Sequence, residues 1–459
     1  MDNPTPVSAL ASLVFPAIPP QAHLTQLALQ WQLGRTEWSS PEEAKAAQWR
    51  QLTPLLAHAA QHSRYYRELF ARAGISPANL PDEGLFRRIP VSTRADLQGA
   101  GHALHSLVTP NDHGPVTEGT TSGSSGRPLH FRKTRVTGEI WSALSLREYF
   151  WHKRDFSKRI AAIRLFKDNG APWPDGMKAD NWGGVIGAVF PTGTACWLNV
   201  ATPPAEQLAW LEKNKPAYLT SFPSNLAALS RHAQTTGQPL PPIEELRTTG
   251  ETLSPEDRTL IAESWKAKVT DMYTCEEIGY LALQCPDHPC YHVQSEHVIL
   301  EILDEAGNPC STGEVGRVVV TDLHNFATPF IRYDLGDFAE ASAPCPCGRG
   351  LPTLSRIMGR TRGRLTLPDG RKIFPRLGER RLSDIPGVQV RQFKVIQRSR
   401  DAIELQIACD RPLDPREQKA VAAGLIASLG HPFEVSFSFP EQILPGPNGK
   451  FETFVSEVS

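Results

Sequence analysis

Thr120-Thr121-Ser122-Gly123-Ser124-Ser125-Gly126-Arg127-Pro128 packs two glycines, five hydroxyls and an arginine into nine residues. Glycine tolerates positive φ and lets a ligand approach the backbone, so successive N–H groups can converge on one anion. The hydroxyls add donors and Arg127 adds charge. A triphosphate meets those requirements. The stretch is not a Walker A loop, because GxxxxGK[ST] is absent. The competing explanation for such a composition is a mobile Ser/Gly linker. The adjoining Arg127-Pro128 and the motifs downstream favour phosphate, with Thr121, Ser122, Gly123, Ser124, Ser125, Gly126 and Arg127 as the binding residues.

Beyond this loop, residues 130–345 alternate short apolar runs with helical patterns. Ile160–Leu165, Ala217–Ser221, Val269–Met272, Val298–Leu303 and Val315–Thr321 are expected as strands. Leu208–Asn214, Asn225–Thr235 and Pro255–Lys266 are expected as helices. This alternation points to a layered α/β body. Upstream, Ser40-Pro41-Glu42-Glu43 starts a helix: hydroxyl cap, proline in the first turn, then acids at the positive end of the dipole. Leu52, Leu55, Leu56 and Ala59 give it an apolar stripe. Tyr65, Tyr66, Leu69 and Phe70 come next, and Gly74 is placed to end it. Residues 1–40 are weakly periodic and are expected to pack on the surface of the α/β body.

The last hundred residues change character. Gln392–Gln397 and Ile403–Ala408 alternate like half-buried strands. Asp414-Pro415-Arg416-Glu417 opens a helix ending at Gly430, and Val435–Phe439 returns to a strand. The expectation is a ββαβ unit with its own core, bounded near Gly359-Arg360. The fold class is therefore α/β, with a large N-terminal layered domain and a small C-terminal α+β lid domain.

Composition excludes several classes. The 459 residues exceed one typical domain. Lys and Arg number 48 against 49 Asp and Glu, which argues against a nucleic-acid coat or a polybasic membrane anchor. No run of apolar residues is long enough for a membrane-spanning helix. The N-terminus is acidic and proline-broken, unlike a signal peptide. With cysteines too sparse for a disulfide scaffold, a cytoplasmic protein is expected.

The ordered motifs together resemble the adenylate-forming (ANL) ligases, and most of all their phenylacetate–coenzyme A ligase branch. TSGSSGRP resembles the phosphate loop. Arg247-Thr248-Thr249-Gly250-Glu251 resembles the adenine-side segment, and Tyr273-Thr274-Cys275-Glu276-Glu277-Ile278-Gly279 the Y-x-x-x-E segment. Arg332-Tyr333-Asp334-Leu335-Gly336-Asp337 resembles R-Y-x-x-G-D. Gly359-Arg360 resembles the hinge-proximal pair, and Gly446-Pro447-Asn448-Gly449-Lys450-Phe451 the C-terminal lysine loop. HSRYYRELFARAG near residue 62 resembles the branch's N-terminal helix.

The resemblance implies a function: an ATP-dependent ligase that makes an acyl-adenylate and then a thioester with coenzyme A. It implies an adenylation domain over 1–360 that binds ATP and the acid, and a mobile domain over 361–459 that carries the catalytic lysine. Glu277 would hold Mg²⁺, although Glu276 stands where the family usually has threonine. Gly250, Glu251 and Tyr273 would line the nucleotide site, and Asp337 would accept hydrogen bonds from the ribose diol. Arg360 would sit near ribose or phosphate. Lys450 would bridge the carboxylate and the α-phosphate. Thr361-Arg362-Gly363 lacks the acid that many members carry at the hinge. Phe222, Trp182 and Gly279 are candidate walls for the acid, with aryl or heteroaryl acids favoured.

Cys285, Cys290 and His292 lie sixty residues before Cys345 and Cys347. Thiolates with one imidazole on two short knuckles suit tetrahedral Zn²⁺. Cys285, His292, Cys345 and Cys347 are the expected ligands, with His288 or Cys290 as substitutes; reduced, inert thiols are the alternative. Cys275 has no His-Asn or His-Asp partner marked in the sequence, so a core thiol is expected there. Three other functions compete: an amide synthetase or carrier-protein loader sharing the first step, a kinase, and a non-catalytic zinc scaffold. Missing Walker A and kinase motifs weigh against the kinase.

Overall fold

The structure, a computed structural model, describes residues 6–10, 16–76, 82–121, 128–360, 363–374, 385, 387–444, 451 and 453–458, with Arg360 described in its backbone alone. The chain divides into two compact units. One comprises Met1–Arg159, Ala179–Ala195 and Asp271–Ile357; the other comprises Ile160–Lys178, Cys196–Thr270 and Met358–Ser459.

In the first unit, helix Pro41–His62 starts as its sequence requires. The Ser40 hydroxyl accepts the Glu43 N–H at 3.2 Å, and Glu43 accepts the Ser40 N–H at 2.9 Å. Leu52, Leu55, Leu56 and Ala59 are fully buried. The helix does not run on to Gly74. It breaks at Ser63, whose extended backbone and hydroxyl cap a second helix, Arg64–Arg72. Gly74 closes that one at a φ of 64°, with Ile75 N–H reaching the Phe70 carbonyl. Residues 21–40 hold more regular structure than their weak pattern suggests. Helix Leu24–Thr36 buries Leu33 beside Leu144 and Trp151 of helix Arg135–Trp151, so tertiary burial overrides local propensity.

The sheet strands of this unit pair antiparallel: Val298–Leu303 with Val315–Asp322, that strand with Tyr333–Ala341, Tyr291–Val293 with both Thr353–Arg360 and Gly279–Gln284, and Gly279–Gln284 with Lys268–Cys275. Residues from helices 41–62 and 64–72 and from these strands share one core, including Leu56, Tyr66, Leu281, Val318 and Tyr333.

In the second unit, Ile160–Arg164, Tyr218–Ser221 and Glu245–Thr249 run parallel. Helices Pro204–Asn214, Pro223–Thr236 and Pro255–Trp265 alternate with them along the chain. Trp210, Leu219, Leu226, Leu246 and Ile261 form their core. These three helices, like Pro41–His62 and Pro415–Leu429, begin on proline, which accounts for part of the proline excess.

The C-terminal segment is a smaller domain with a sheet and core of its own. Its strands lie in the order Glu434–Ser438, Ala402–Cys409, Val390–Gln397, Phe454–Ser456, backed by helix Pro415–Leu429. Val395, Leu405, Leu425 and Phe454 belong to that core. The ββαβ expectation gains one strand, Phe454–Ser456, which runs parallel to Val390–Gln397. Three residues are too few to show a period.

Arg154 and Glu148 form a buried bidentate pair, with nitrogen–oxygen distances of 2.6 and 2.7 Å. Removing one member of such a pair costs about 3–5 kcal/mol. Glu148→Ala is therefore expected to lower the unfolding free energy from urea titration by that amount, with Glu148→Leu/Arg154→Met recovering most of the loss, both followed by circular dichroism.

Candidate active site

Strands Val116–Thr120 and His130–Thr134 form a hairpin around the Gly/Ser loop. Thr121 closes it: its N–H donates to the Leu129 carbonyl, and its hydroxyl accepts the Leu129 N–H, both at 3.0 Å. Ser122, Gly123, Ser124, Ser125, Gly126 and Arg127 lie outside the described residues. The Thr121 hydroxyl also accepts from the guanidinium of Arg94, whose other terminal nitrogen is 4.0 Å from Glu277 Oε1. Arg94 opens helix Arg94–Ala100, which is capped by Thr93 and Asp96.

Glu277 is buried, and the Tyr333 hydroxyl donates to its Oε1 at 3.2 Å. Burial, and then the charge of Glu277, push the Tyr333 hydroxyl well above its ordinary pKa, so it remains a donor. Glu276, by contrast, is exposed, and its main-chain oxygen accepts from Lys133 Nζ at 2.7 Å. Of the two neighbouring acids, Glu277 is the one built into the protein. The Cys275 thiol is raised well above its usual pKa by burial and then by Glu277, which disfavours a nucleophilic thiolate.

The R-Y-x-x-G-D segment works as a bracket. Arg332 holds a positive φ of 45°. Its guanidinium makes two 3.0 Å bonds to Glu301 and donates to the carbonyl of Ile89 at 2.7 Å and to that of Arg87. This fixes the start of strand Tyr333–Ala341, which directs Tyr333 to Glu277 and Asp337 to Tyr273. The Tyr273 hydroxyl donates to Asp337 Oδ2 at 2.8 Å.

In the second unit Gly250 has a φ of 82°. Glu251 accepts the Ser224 N–H at 3.1 Å on one oxygen and the Phe451 N–H at 2.8 Å on the other. Lys450 and the Arg360 side chain lie outside the described residues.

The three candidate acid walls separate. Trp182 is buried in an aromatic cluster with Tyr149 and Phe156, and its indole N–H donates to the Lys158 carbonyl at 2.8 Å. That is core packing. Phe222 belongs to the other unit, as N-cap of helix Pro223–Thr236. Gly279 has a φ of 120°, and a Cβ there would stand 2.8 Å from the Trp141 ring. Trp141 is partly exposed and packs at 4.8 Å on Tyr280, so it is the aromatic at this turn.

Cys285, His292, Cys345 and Cys347 converge, with their donor atoms all within 4.8 Å of one another. Cys345 Sγ is 3.8 Å from Cys285 Sγ, and Cys347 Sγ is 3.3 Å from His292 Nε2. Two sulfurs at ~2.3 Å from a tetrahedral ion would be about 3.8 Å apart. Burial first, then Arg349, lowers His292 to about 4, leaving the imidazole neutral and fit to ligate. Burial raises the Cys285 and Cys345 thiols to about 11. For Cys347 burial acts in the same direction, but the backbone and side-chain N–H groups of Arg349 outweigh it and lower the thiol. Cys290 contacts Cys345 and Cys285 but, like His288, stands outside the four-donor group.

Arg94, Trp141 and Lys133 were not marked by the sequence motifs, and Tyr333 was quoted within R-Y-x-x-G-D without a role. Arg94 did carry a signal: a cation in the first turn of a helix opposes the macrodipole and needs another reason to be there.

Over 400 residues the chain is 25% identical to a phenylacetate-coenzyme A ligase of Thermus thermophilus, covering 81% of this chain and 82% of the relative. It is 25% identical over 240 residues to an uncharacterized acyl-CoA ligase of Bacillus subtilis, covering 51% of this chain and 46% of the relative. No family model matches. Among solved structures, 2-hydroxyisobutyryl-CoA ligase in the postadenylation state with 2-HIB-AMP gives a TM-score of 0.71 at 20% identity, covering 91% of this chain and 90% of the other. An anthranilate CoA ligase with anthranoyl-AMP gives 0.52 at 16% identity, covering 72% and 65%. The fold is that of the adenylate-forming ligases, with a large α/β part and a smaller C-terminal domain. Among the described residues, no helix is long and apolar enough to cross a membrane.

Gly279→Ala combines positive φ with a clash on Trp141, and is expected to cost at least about 1–3 kcal/mol. A Trp141→Ala/Gly279→Ala double variant should regain only the part owed to the clash. Equilibrium unfolding of the wild type, both single variants and the double variant separates the two parts.

Proposed function

We propose that this chain, which has the fold of the adenylate-forming ligases, is an AMP-forming acid–thiol ligase acting on ATP, a carboxylic acid and coenzyme A. The observation that carries the proposal is a buried carboxylate, Glu277, with the Tyr333 hydroxyl on it and with Arg94 bridging toward Thr121 at the base of the Gly/Ser loop. This supports the reading, since a hydroxyl donor and the Arg94 cation stand beside a carboxylate that can act as a hard oxygen ligand near the Gly/Ser loop.

The chemistry proceeds in two displacements. One carboxylate oxygen of the acid attacks the α-phosphorus of ATP, the bond to the bridging oxygen breaks, and pyrophosphate leaves. The thiol sulfur of coenzyme A, losing its proton, then attacks the acyl carbon, and AMP leaves with the carbon–oxygen bond pair. Glu277 fits a magnesium ligand, and the ion would offset phosphate charge in the first step. Thr121 and the loop after it bind phosphate. Asp337, steadied by Tyr273, accepts from the ribose diol. Gly250 lets the backbone approach the adenine side. Lys450 brings its ammonium to the carboxylate and α-phosphate, two anions that otherwise repel. Residues 361–459 move as a lid about Gly359-Arg360, so that one site serves both steps.

The acid is aryl or heteroaryl. Support comes from Trp141 and Tyr280 beside Gly279 and from the phenylacetate- and anthranilate-CoA ligases among the similar proteins. The acceptor is coenzyme A, as in both of those proteins' names; an amine or a carrier protein is the alternative, since Thr361-Arg362-Gly363 departs from the usual hinge. The cysteine–histidine quartet holds structural zinc, whose four protein donors leave no position for water.

A panel of carboxylic acids, read by AMP and pyrophosphate release, should show turnover with aryl acids, and a thioester only when coenzyme A is supplied. ADP release, or no acid-dependent cleavage, would refute the proposal. Lys450→Ala should abolish acid-dependent ATP–pyrophosphate exchange with an unchanged circular dichroism spectrum; exchange at the wild-type rate would remove Lys450 from its role.

Elemental analysis is expected to find zinc in the purified chain, with one equivalent lost in Cys345→Ser/Cys347→Ser together with a lowered melting temperature. A purified chain without zinc would end that assignment.

A further inference from the structure

A second group of metal-ligating side chains lies in the first unit, away from the cysteines. His297, Asp322 and His324 bring their donor atoms within 4.8 Å of one another. Asp322 ends strand Val315–Asp322, and His297 immediately precedes strand Val298–Leu303, which pairs with it. All three side chains are wholly or partly buried.

We propose that these three residues bind a divalent transition-metal ion of the zinc or cobalt(II) type. His297 Nε2 lies 3.2 Å from the Ile278 carbonyl oxygen, which can only accept. The ring proton therefore sits on Nε2, and the neutral ring presents the Nδ1 lone pair to the cluster. Anchoring of the second ring nitrogen on a carbonyl is the usual support for a ligating histidine. His297 Nδ1 and His324 Nδ1 are 3.5 Å apart. Two nitrogens at ~2.0–2.1 Å from a common ion, at a near-tetrahedral angle, have about that separation. The two ring planes lie within 13° of each other, with centroids 5.7 Å apart.

Asp322 supplies the charge. Its Oδ1 accepts the His324 N–H at 2.9 Å and lies 3.8 Å from His297 Nδ1. Its Oδ2 is buried with no hydrogen-bond partner among the described residues. A buried carboxylate oxygen left unpaired is costly, and a cation at this point would satisfy it. Imidazole and carboxylate donors select zinc, cobalt or nickel over magnesium or calcium. Three protein donors leave a further position open, unlike the cysteine quartet. A bound ion would tie the loop after Asp322 to the Ile278 carbonyl, one residue from Gly279.

The test is titration of the chelator-stripped full chain with Co²⁺, followed by visible absorption and by metal content after gel filtration. The wild type is expected to take one equivalent more than Asp322→Asn or His324→Gln. That equivalent should show ligand-field absorption without a thiolate charge-transfer band, and it should persist in Cys345→Ser/Cys347→Ser. Each variant should weaken it at least about tenfold, since even loss of an outer-sphere partner costs 10–100-fold. Equal stoichiometry in the wild type and both variants overturns the proposal, as does an extra equivalent that carries the thiolate band. Two substitutions at different positions keep the result readable if one fails to fold, as judged by circular dichroism. No catalytic readout enters, so the outcome is independent of the ligase proposal.

Discussion

A carboxylate removed from water must be paired or hydrogen-bonded, or it destabilises the fold by several kcal/mol. Glu277 is such a carboxylate, and much of the surrounding structure is explained by what it requires. Tyr333 gives it a hydrogen bond and Arg94 a nearby positive charge. Each of those groups must in turn be held. Tyr333 is aimed by Arg332, which accepts an unfavourable left-handed backbone because Glu301 and the Ile89 and Arg87 carbonyls bind its guanidinium. Arg94 is held by the hydroxyl of Thr121, the residue that closes the hairpin around the Gly/Ser loop. Three segments distant in sequence thus converge on one anion.

The parts of this arrangement that sequence exposes are those whose chemistry is local. Capping at Ser40 and Asp414, prolines at helix starts, and two- or three-to-four-residue periods made most elements legible, because each depends on neighbours within a turn or two. The break at Ser63 was not, since its hydroxyl bonds carbonyls of Ala103 and Leu104, some forty residues away. The strand Phe454–Ser456 is too short to show a period and exists through its pairing with Val390–Gln397. The cysteine quartet was legible because two knuckles of an uncommon residue type advertise themselves. His297, Asp322 and His324 did not, because each looks ordinary until strand pairing sets them side by side. Trp182 illustrates the converse: an aromatic beside glycines suggested a pocket wall, and its ring turned out to fill the core.

The two clusters of metal-ligating groups differ in what an ion could do at each. The quartet of Cys285, His292, Cys345 and Cys347 joins the short strand Tyr291–Val293 to the turn after strand Tyr333–Ala341. Four soft donors would make an ion bound there a staple. The His297 group is harder, incomplete and linked through Ile278 to the turn at Gly279, where Trp141 stands. An ion there would stiffen a turn next to the proposed acid site.

The C-terminal lysine loop raises a question of specificity. The hydrogen bond that ties the residue after Lys450 to the rest of its unit is made by main chain: Phe451 donates its N–H to Glu251, whose other oxygen takes the N–H of Ser224 at the start of helix Pro223–Thr236. A backbone donor is present whatever side chain stands at 451, proline excepted. Docking through N–H therefore places no constraint on the side chain at 451. It also makes Glu251 a joint between two elements, because one carboxylate satisfies an orphan helix donor and a loop donor at once. The hydrogen bond from Phe451 is worth about 1.5–3 kcal/mol to a charged acceptor. For a C-terminal domain that moves as proposed, a contact of that size is released more readily than a buried apolar seam.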